Sequence, residues 1–134
     1  MSGSLETLAA IEIPDVMAAA CPSRRILNHV TSRWGVLILV ALSRGKMRFS
    51  ALRRHIGGVS ERMLAQTLQT LEADGFVIRK SHNVVPPHVD YSLSPLGHEA
   101  AEKVADLVFW IEENLTRIPG ALPEETTPVS AKTG

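Results

Sequence analysis

The stretch "GGVSERMLAQTLQTLEADG" (residues 57–75) decides how the rest of the chain is read. Leu64, Leu68 and Leu71 recur at the spacing of one helical face. Ser60 stands where a side-chain oxygen can cap the first turn, and Gly75 stands where a left-handed residue closes a helix. The opposite edge carries Arg62, Gln66 and Gln69, with the small Ala65 and Ala73 keeping its flanks low. A merely solvated face is served equally well by Lys and Glu. One guanidinium and two amides suit a face that reads a pattern of donors and acceptors: Arg matches guanine O6 and N7, and Gln both donates to and accepts from adenine. The competing reading is a polar surface helix, since Gln is also a good helix former.

Upstream, Ser50 is placed to cap "ALRRHI" (51–56), with Phe49, Leu52 and Ile56 pointing inward and Gly57-Gly58 stopping the helix. The result is helix, short glycine-containing turn, amphipathic helix, which is the helix-turn-helix layout. "KMRFS" (46–50) reads as an extended link. Before it, Trp34, Leu37, Ile38, Ala41 and Leu42 form a stripe in a helix that is apolar nearly all round and hence buried, ending at Gly45. Pro22 opens a further helix whose inward side is Ile26, Leu27 and Val30.

After Gly75 the apolar period switches from 3.6 to 2. Phe76 and Ile78 share a side of one strand, and Val89, Tyr91 and Leu93 share a side of the next. Between them "HNVVPP" (82–87) makes a protruding hairpin tip stiffened by Pro86-Pro87. Ser94-Pro95 opens a last long helix with an apolar stripe of Ala100, Val104, Leu107, Val108, Ile111 and Leu115, broadened by Phe109 and Trp110, a pair read as interface or core. The fold class expected is therefore mainly α with a small β-hairpin (α+β), a winged helix-turn-helix. Its divisions are an N-terminal segment (1–20), the winged domain (21–97), a C-terminal helix (98–118) and a disordered Pro/Thr/Glu-rich tail (119–134).

The 134 residues suffice for one domain, and their formal charge is zero. The distribution is uneven. Between Arg24 and His88 there are eleven Lys/Arg against three acids (Glu61, Glu72, Asp74), and the remaining acids lie in the flanks. Such asymmetry fits a polyanion-binding face. Arg48, Arg53 and Arg54 lie on and before the first helix of the pair, Ser60 at the start of the second, Arg79 and Lys80 lead into the wing, and Asn83 and His88 sit near its tip. These are the expected contacts to the DNA backbone, which give affinity and register but little sequence information. The longest apolar run, "WGVLILVAL" (34–42), falls well short of the roughly 20 residues that span a bilayer. The start "MSGSLETLAA" reads as no signal peptide, and a lone cysteine suits a reducing cytoplasm.

The segment from Cys21 to Gly97 resembles the HxlR-type transcriptional regulators of bacteria, relatives of the MarR group. The resemblance is carried by Cys21-Pro22, Arg33-Trp34, "LIL" (37–39), "RFSALRR" (48–54), "SERML" (60–64), "LEADG" (71–75) and "VPPHVDYSLSPLG" (85–97), in fixed order. It implies a homodimeric winged-helix protein that binds double-stranded DNA at a pseudo-palindromic operator, with terminal helices, residues 1–20 among them, forming the dimer interface. It implies no enzymatic activity and no required cofactor. Two positions depart from the pattern: His88 stands where Arg commonly follows Pro-Pro, which weakens the wing contact and makes it a candidate for pH sensitivity, and Gly35 stands where a larger residue often follows the Trp.

Cys21 precedes Pro22 at a helix start, near Arg24 and Arg25, surroundings that lower a thiol pKa. Regulators similar to this one sense oxidants or electrophiles through a Cys in this region, so Cys21 is a candidate redox sensor; the alternative is a small buried hydrophobe. The five histidines (His29, His55, His82, His88, His98) show no metal-ligand spacing and no partnering Cys pair, so no metal is expected. His82 and His88 flank the hairpin and can meet across it, where contact with solvent or phosphate is the expected role. Gly57-Gly58 lacks the Lys-Ser/Thr of a phosphate loop, and no nucleophile–base–orienter set emerges. A small-molecule effector at a dimer interface stays open. The main rival function is a winged-helix adaptor that binds proteins and not DNA.

Overall fold

A computed structural model describes residues 15–123. The expectations placed on residues 1–14 of the N-terminal arm and 124–134 of the tail lie outside it. In chain order the elements are α1 (Pro22–Val30), α2 (Arg33–Leu42), β1 (Met47–Arg48), α3 (Phe49–His55), α4 (Glu61–Ala73), β2 (Val77–His82), β3 (His88–Leu93) and α5 (Pro95–Glu113). The strands form an antiparallel sheet in the order β1-β3-β2. The extended link foreseen at 46–50 thus becomes a third strand, with Met47 opposite Tyr91 and Arg48 opposite Asp90.

The core is a single cluster. Ile38, Leu39 and Leu42 of α2 meet Leu52 of α3, Leu64, Leu68 and Leu71 of α4, Tyr91 and Leu93 of β3, and Ala101 and Val104 of α5. Each fully buried leucine of α4 contributes about 1.5–3 kcal/mol relative to exposure, so the helix is held firmly by one face while the other stays in solvent. α2 is the central helix, packed against α1, α3, α4, α5 and the sheet. No helix of the described residues is long and apolar enough to cross a membrane.

Four local expectations change on inspection. Ser50 does not cap α3: the helix starts two residues earlier than expected, at Phe49, with Arg48 as its N-cap. Leu27 faces solvent, so α1 presents only Ile26 and Val30 to the core. In β2 the inward residue is Val77, and Ile78 points out. The cause is the closure of α4. Gly75 (φ +87°) donates its N–H to the Glu72 carbonyl and Phe76 donates to the Leu71 carbonyl, both at 3.0 Å. That is the paired bonding of a Schellman motif, in which the residue after the glycine folds back on the helix. Phe76 is therefore buried as part of the helix cap, and strand alternation starts at Val77.

The fourth concerns α5. Its core-facing row is Gly97, Ala101 and Val104, with Val108 half-buried. Leu107, Phe109, Trp110 and Ile111 are exposed, and Leu115 lies beyond the helix end. The expected stripe is thus seated on α2 over its first half and leaves the core in its second, where Leu107 and Ile111 are exposed.

Candidate nucleic-acid interface

Ser60 caps α4 as expected, its Oγ accepting the Met63 N–H at 3.0 Å. The hydroxyl hydrogen remains to donate outward. With Leu64, Leu68 and Leu71 fixing the helix's rotation, Arg62, Gln66 and Gln69 fall on the solvent side and are all exposed. They line a concave groove of about 400 Å³ with Ala65, Glu72, Arg79 and Tyr91. One wall is α4 and the other is the sheet. Glu72, at the far end of the groove, is the one acid in that lining.

The two wing cations lie on opposite faces of the sheet. Arg79 stands opposite Tyr91 and Lys80 opposite Asp90. Since strand neighbours point to opposite faces, Arg79 joins the α4 groove and Lys80 joins the outer face of the sheet. Arg53 and Arg54 are exposed and line a second hollow of about 410 Å³ with Phe49, Ser50, Val59 and Glu61, beside the start of α4. Arg48 is exposed at the β1–α3 junction. Asn83 is exposed in the five-residue tip between β2 and β3.

His88 is not directed into solvent alone. Its ring stacks on that of His82, with centroids 4.5 Å apart and planes inclined by 24°. His82 Nε2 shares a hydrogen with Asp90 Oδ2 at 2.8 Å, and Lys46 Nζ lies 3.9 Å from the same oxygen. The potential ligand atoms of His82, His88 and Asp90 all lie within 4.8 Å of one another. Sequence spacing hides this trio, because it depends on the hairpin register that sets His82 opposite His88.

Helix α4 is anchored at its far end by a cluster with no sequence motif. His29 Nδ1 donates to Asp74 Oδ2 at 2.6 Å and Arg25 Nη1 lies 3.6 Å from Asp74 Oδ1, joining α1 to the C-cap of α4. The Asp74 side chain is 4% exposed.

Cys21 is the half-buried N-cap of α1. Its thiol is held below the usual value, first by the Ser23 hydroxyl and then by backbone amides including those of Ser23 and Arg24, against an opposing effect of burial. Of the two expected causes, the helix start contributes and the arginines do not. The Arg24 guanidinium turns to the Met17 carbonyl (3.0 Å) and that of Arg25 to Asp74, so neither serves the sulfur. Gly35, the other departure noted in the sequence, is a packing requirement: a Cβ there would collide with the His29 carbonyl oxygen.

With a capped, one-sided helix beside a three-stranded wing in place, comparison with known proteins is informative. A family model described as HxlR-like helix-turn-helix matches residues 29–119. The chain belongs to that family. It is similar to the HTH-type transcriptional regulator YtfH of Escherichia coli, with 64% identity over 104 residues, 78% of this chain and 82% of the relative. It also resembles the solved structure of the transcriptional regulator ytfH from Salmonella typhimurium, with a TM-score of 0.74 at 63% identity over 78% of this chain and 93% of that one. The redox regulator HypR in its oxidized form superposes with a TM-score of 0.65 at 35% identity, covering 70% and 97%. Like the rest of the HxlR-like family, the chain is a helix-turn-helix transcriptional regulator and not an enzyme, and that membership implies DNA binding.

Proposed function

We propose that the chain acts in the cytoplasm as a homodimer on a pseudo-palindromic operator, with α4 of each protomer entering one of two major grooves spaced by about one duplex turn. The observation that carries this reading is the joint exposure of Arg62, Gln66 and Gln69 along one edge of α4, in a groove completed by Arg79. Arg62, Gln66 and Gln69 read base edges. Arg48, Arg53, Arg54, Arg79, Lys80 and the Ser60 hydroxyl hold phosphates, and Asn83 and His88 approach the duplex from the wing.

Dimerisation uses apolar surface that the protomer leaves in water. The outer row of α5, with Leu107, Trp110 and Ile111, supports it. So does an open hollow of about 600 Å³ lined by Val16, Pro22, Ser23, Ile26, Leu27 and Val30. Cys21 is the point of response to oxidants or electrophiles, a reading supported by its depressed pKa and by the likeness to HypR.

Binding to the DNA upstream of the protein's own gene, measured against random duplex across a salt series, tests the proposal. Each phosphate contact contributes about −0.9 to the slope of log K against log salt. Arg62→Ala is expected to weaken operator binding by about 1–3 kcal/mol and to affect random duplex less. Equal losses on both reassign Arg62 to the backbone. A salt-insensitive protein partner, with no duplex affinity above background, supports the adaptor function instead.

A further inference from the structure

We propose a divalent transition-metal site at the base of the wing, formed by His82, His88 and Asp90 and suited to Zn2+ or an ion of its class. Register and alternation put all three side chains on one face. His82 and His88 are opposite each other on the last rung of the hairpin, and Asp90 is two residues beyond His88 on the same strand. Their ligand atoms lie within 4.8 Å of one another, and His82 Nε2 is already 2.8 Å from the Asp90 carboxylate. Tetrahedral zinc with bonds of about 2.0–2.2 Å needs donor atoms roughly 3.3–3.6 Å apart. Reaching that spacing opens the 2.8 Å His82–Asp90 pair slightly and turns the stacked His88 ring toward it.

The donor set suits such an ion. Two imidazoles and one carboxylate, with a fourth position open to water, are a common set for borderline divalent ions, whereas Ca2+ and Mg2+ prefer all-oxygen ligands. On binding, the metal replaces the hydrogen that His82 Nε2 shares with Asp90, and the imidazole carries its proton on Nδ1. Lys46, 3.9 Å from Asp90 and 70% exposed, can swing into solvent on its long stem. Arg48 and Lys80, each opposite Asp90 on a neighbouring strand, also face it. These three cations oppose the charge of the ion and hold its affinity below that of a closed structural zinc site.

An ion here ties His82 to His88 at the rung from which the tip springs, and adds positive charge beside it. Both effects favour the wing's approach to DNA, so metal and duplex strengthen each other's binding reciprocally. This coupling rests on the proposed function; the metal site itself does not.

The test is calorimetric titration of Zn2+ into the tag-free, chelator-stripped full chain without DNA. One ion per chain is expected, with His82→Gln, His88→Gln and Asp90→Asn each weakening it by about tenfold or more. Zn2+ raises the melting temperature of the parent protein and not of the variants, whose own melting curves show that they fold. Imidazole NMR signals of His82 and His88 shift, and those of His29, His55 and His98 stay. No saturable binding overturns the site, as does binding that survives all three substitutions or disappears in Cys21→Ser. In the duplex assay, Zn2+ tightens binding by the parent and not by His82→Gln; a bound ion without that gain overturns the coupling. Loss of duplex binding in both metal-free and loaded protein overturns the proposed function and leaves the metal site standing.

Discussion

The chemistry of Cys21 is set by where its neighbours turn, and sequence adjacency is a poor guide to that. Arg24 and Arg25 follow it by three and four residues yet bond elsewhere, while the Ser23 hydroxyl and the amides opening α1 favour its thiolate. Below the ordinary thiol pKa, the folded protein therefore holds more thiolate than an unfolded chain at the same pH, and the thiolate is the reactive form. Alkylation rates measured against pH are expected to inflect below the value for a free cysteine and to return to it in denaturant. The same inflection in native and denatured protein would remove the local activation. At this scale, residue identity was legible in Arg62, Gln66 and Gln69, because apolar periodicity alone fixes which edge of α4 is wet. The partner of a flexible arginine was not, since it depends on where α1 meets the end of α4.

Helices α4 and α5 are locked together by the chain ends they share. Ser94 Oγ accepts the Gly97 N–H (2.9 Å) to cap α5 and donates its own hydrogen to the Gly75 carbonyl (2.6 Å), tying the start of one helix to the end of the other. Gly97 lies so close that a Cβ would strike the Phe76 carbonyl oxygen and crowd the Leu93 side chain. Backbone cannot yield as a side-chain tip can. Gly97→Ala is therefore expected to destabilise the fold by about 1–3 kcal/mol, read as a lower urea midpoint with an unchanged slope; an unchanged midpoint would show that α5 can slide away freely. The closure at Gly75 also explains which elements sequence reading recovered. Helix starts at Pro22, Ser60 and Ser94 and the helix stop at Gly75 were legible, because caps and left-handed glycines act locally. The inward phase of β2 and the strand character of Met47-Arg48 were not, because the first depends on Phe76 belonging to the cap and the second on pairing with a strand more than forty residues away.

The whole molecule divides its surface by chemistry: cations and amides around α4 and the wing, and an uncovered apolar row on the second half of α5. Leu107, Trp110 and Ile111 are spaced as one helical face, and each is exposed although Gly97, Ala101 and Val104, on the adjoining side of the first half of the same helix, are buried in the core. A row of this kind facing water is costly unless another surface covers it, and a twofold partner would bring a second α4 to the duplex. Trp110→Lys tests this with little disturbance to the protomer. The indole is about half exposed, and a cation near the C-terminus of a helix suits its dipole. If α5 is the seam of the proposed dimer, sedimentation is expected to show the variant as a monomer where the parent self-associates, with the melting curve of the isolated fold little altered. Linked half-sites act at high effective concentration, so uncoupling them is expected to lower operator affinity by about 10²–10⁴ while each module's weak binding to random duplex persists. If the variant sediments as a dimer with full operator affinity, α5 is not the seam, and a chain lacking residues 1–20 becomes the next one to sediment: dissociation there moves the interface to the N-terminal segment and the apolar hollow beside α1.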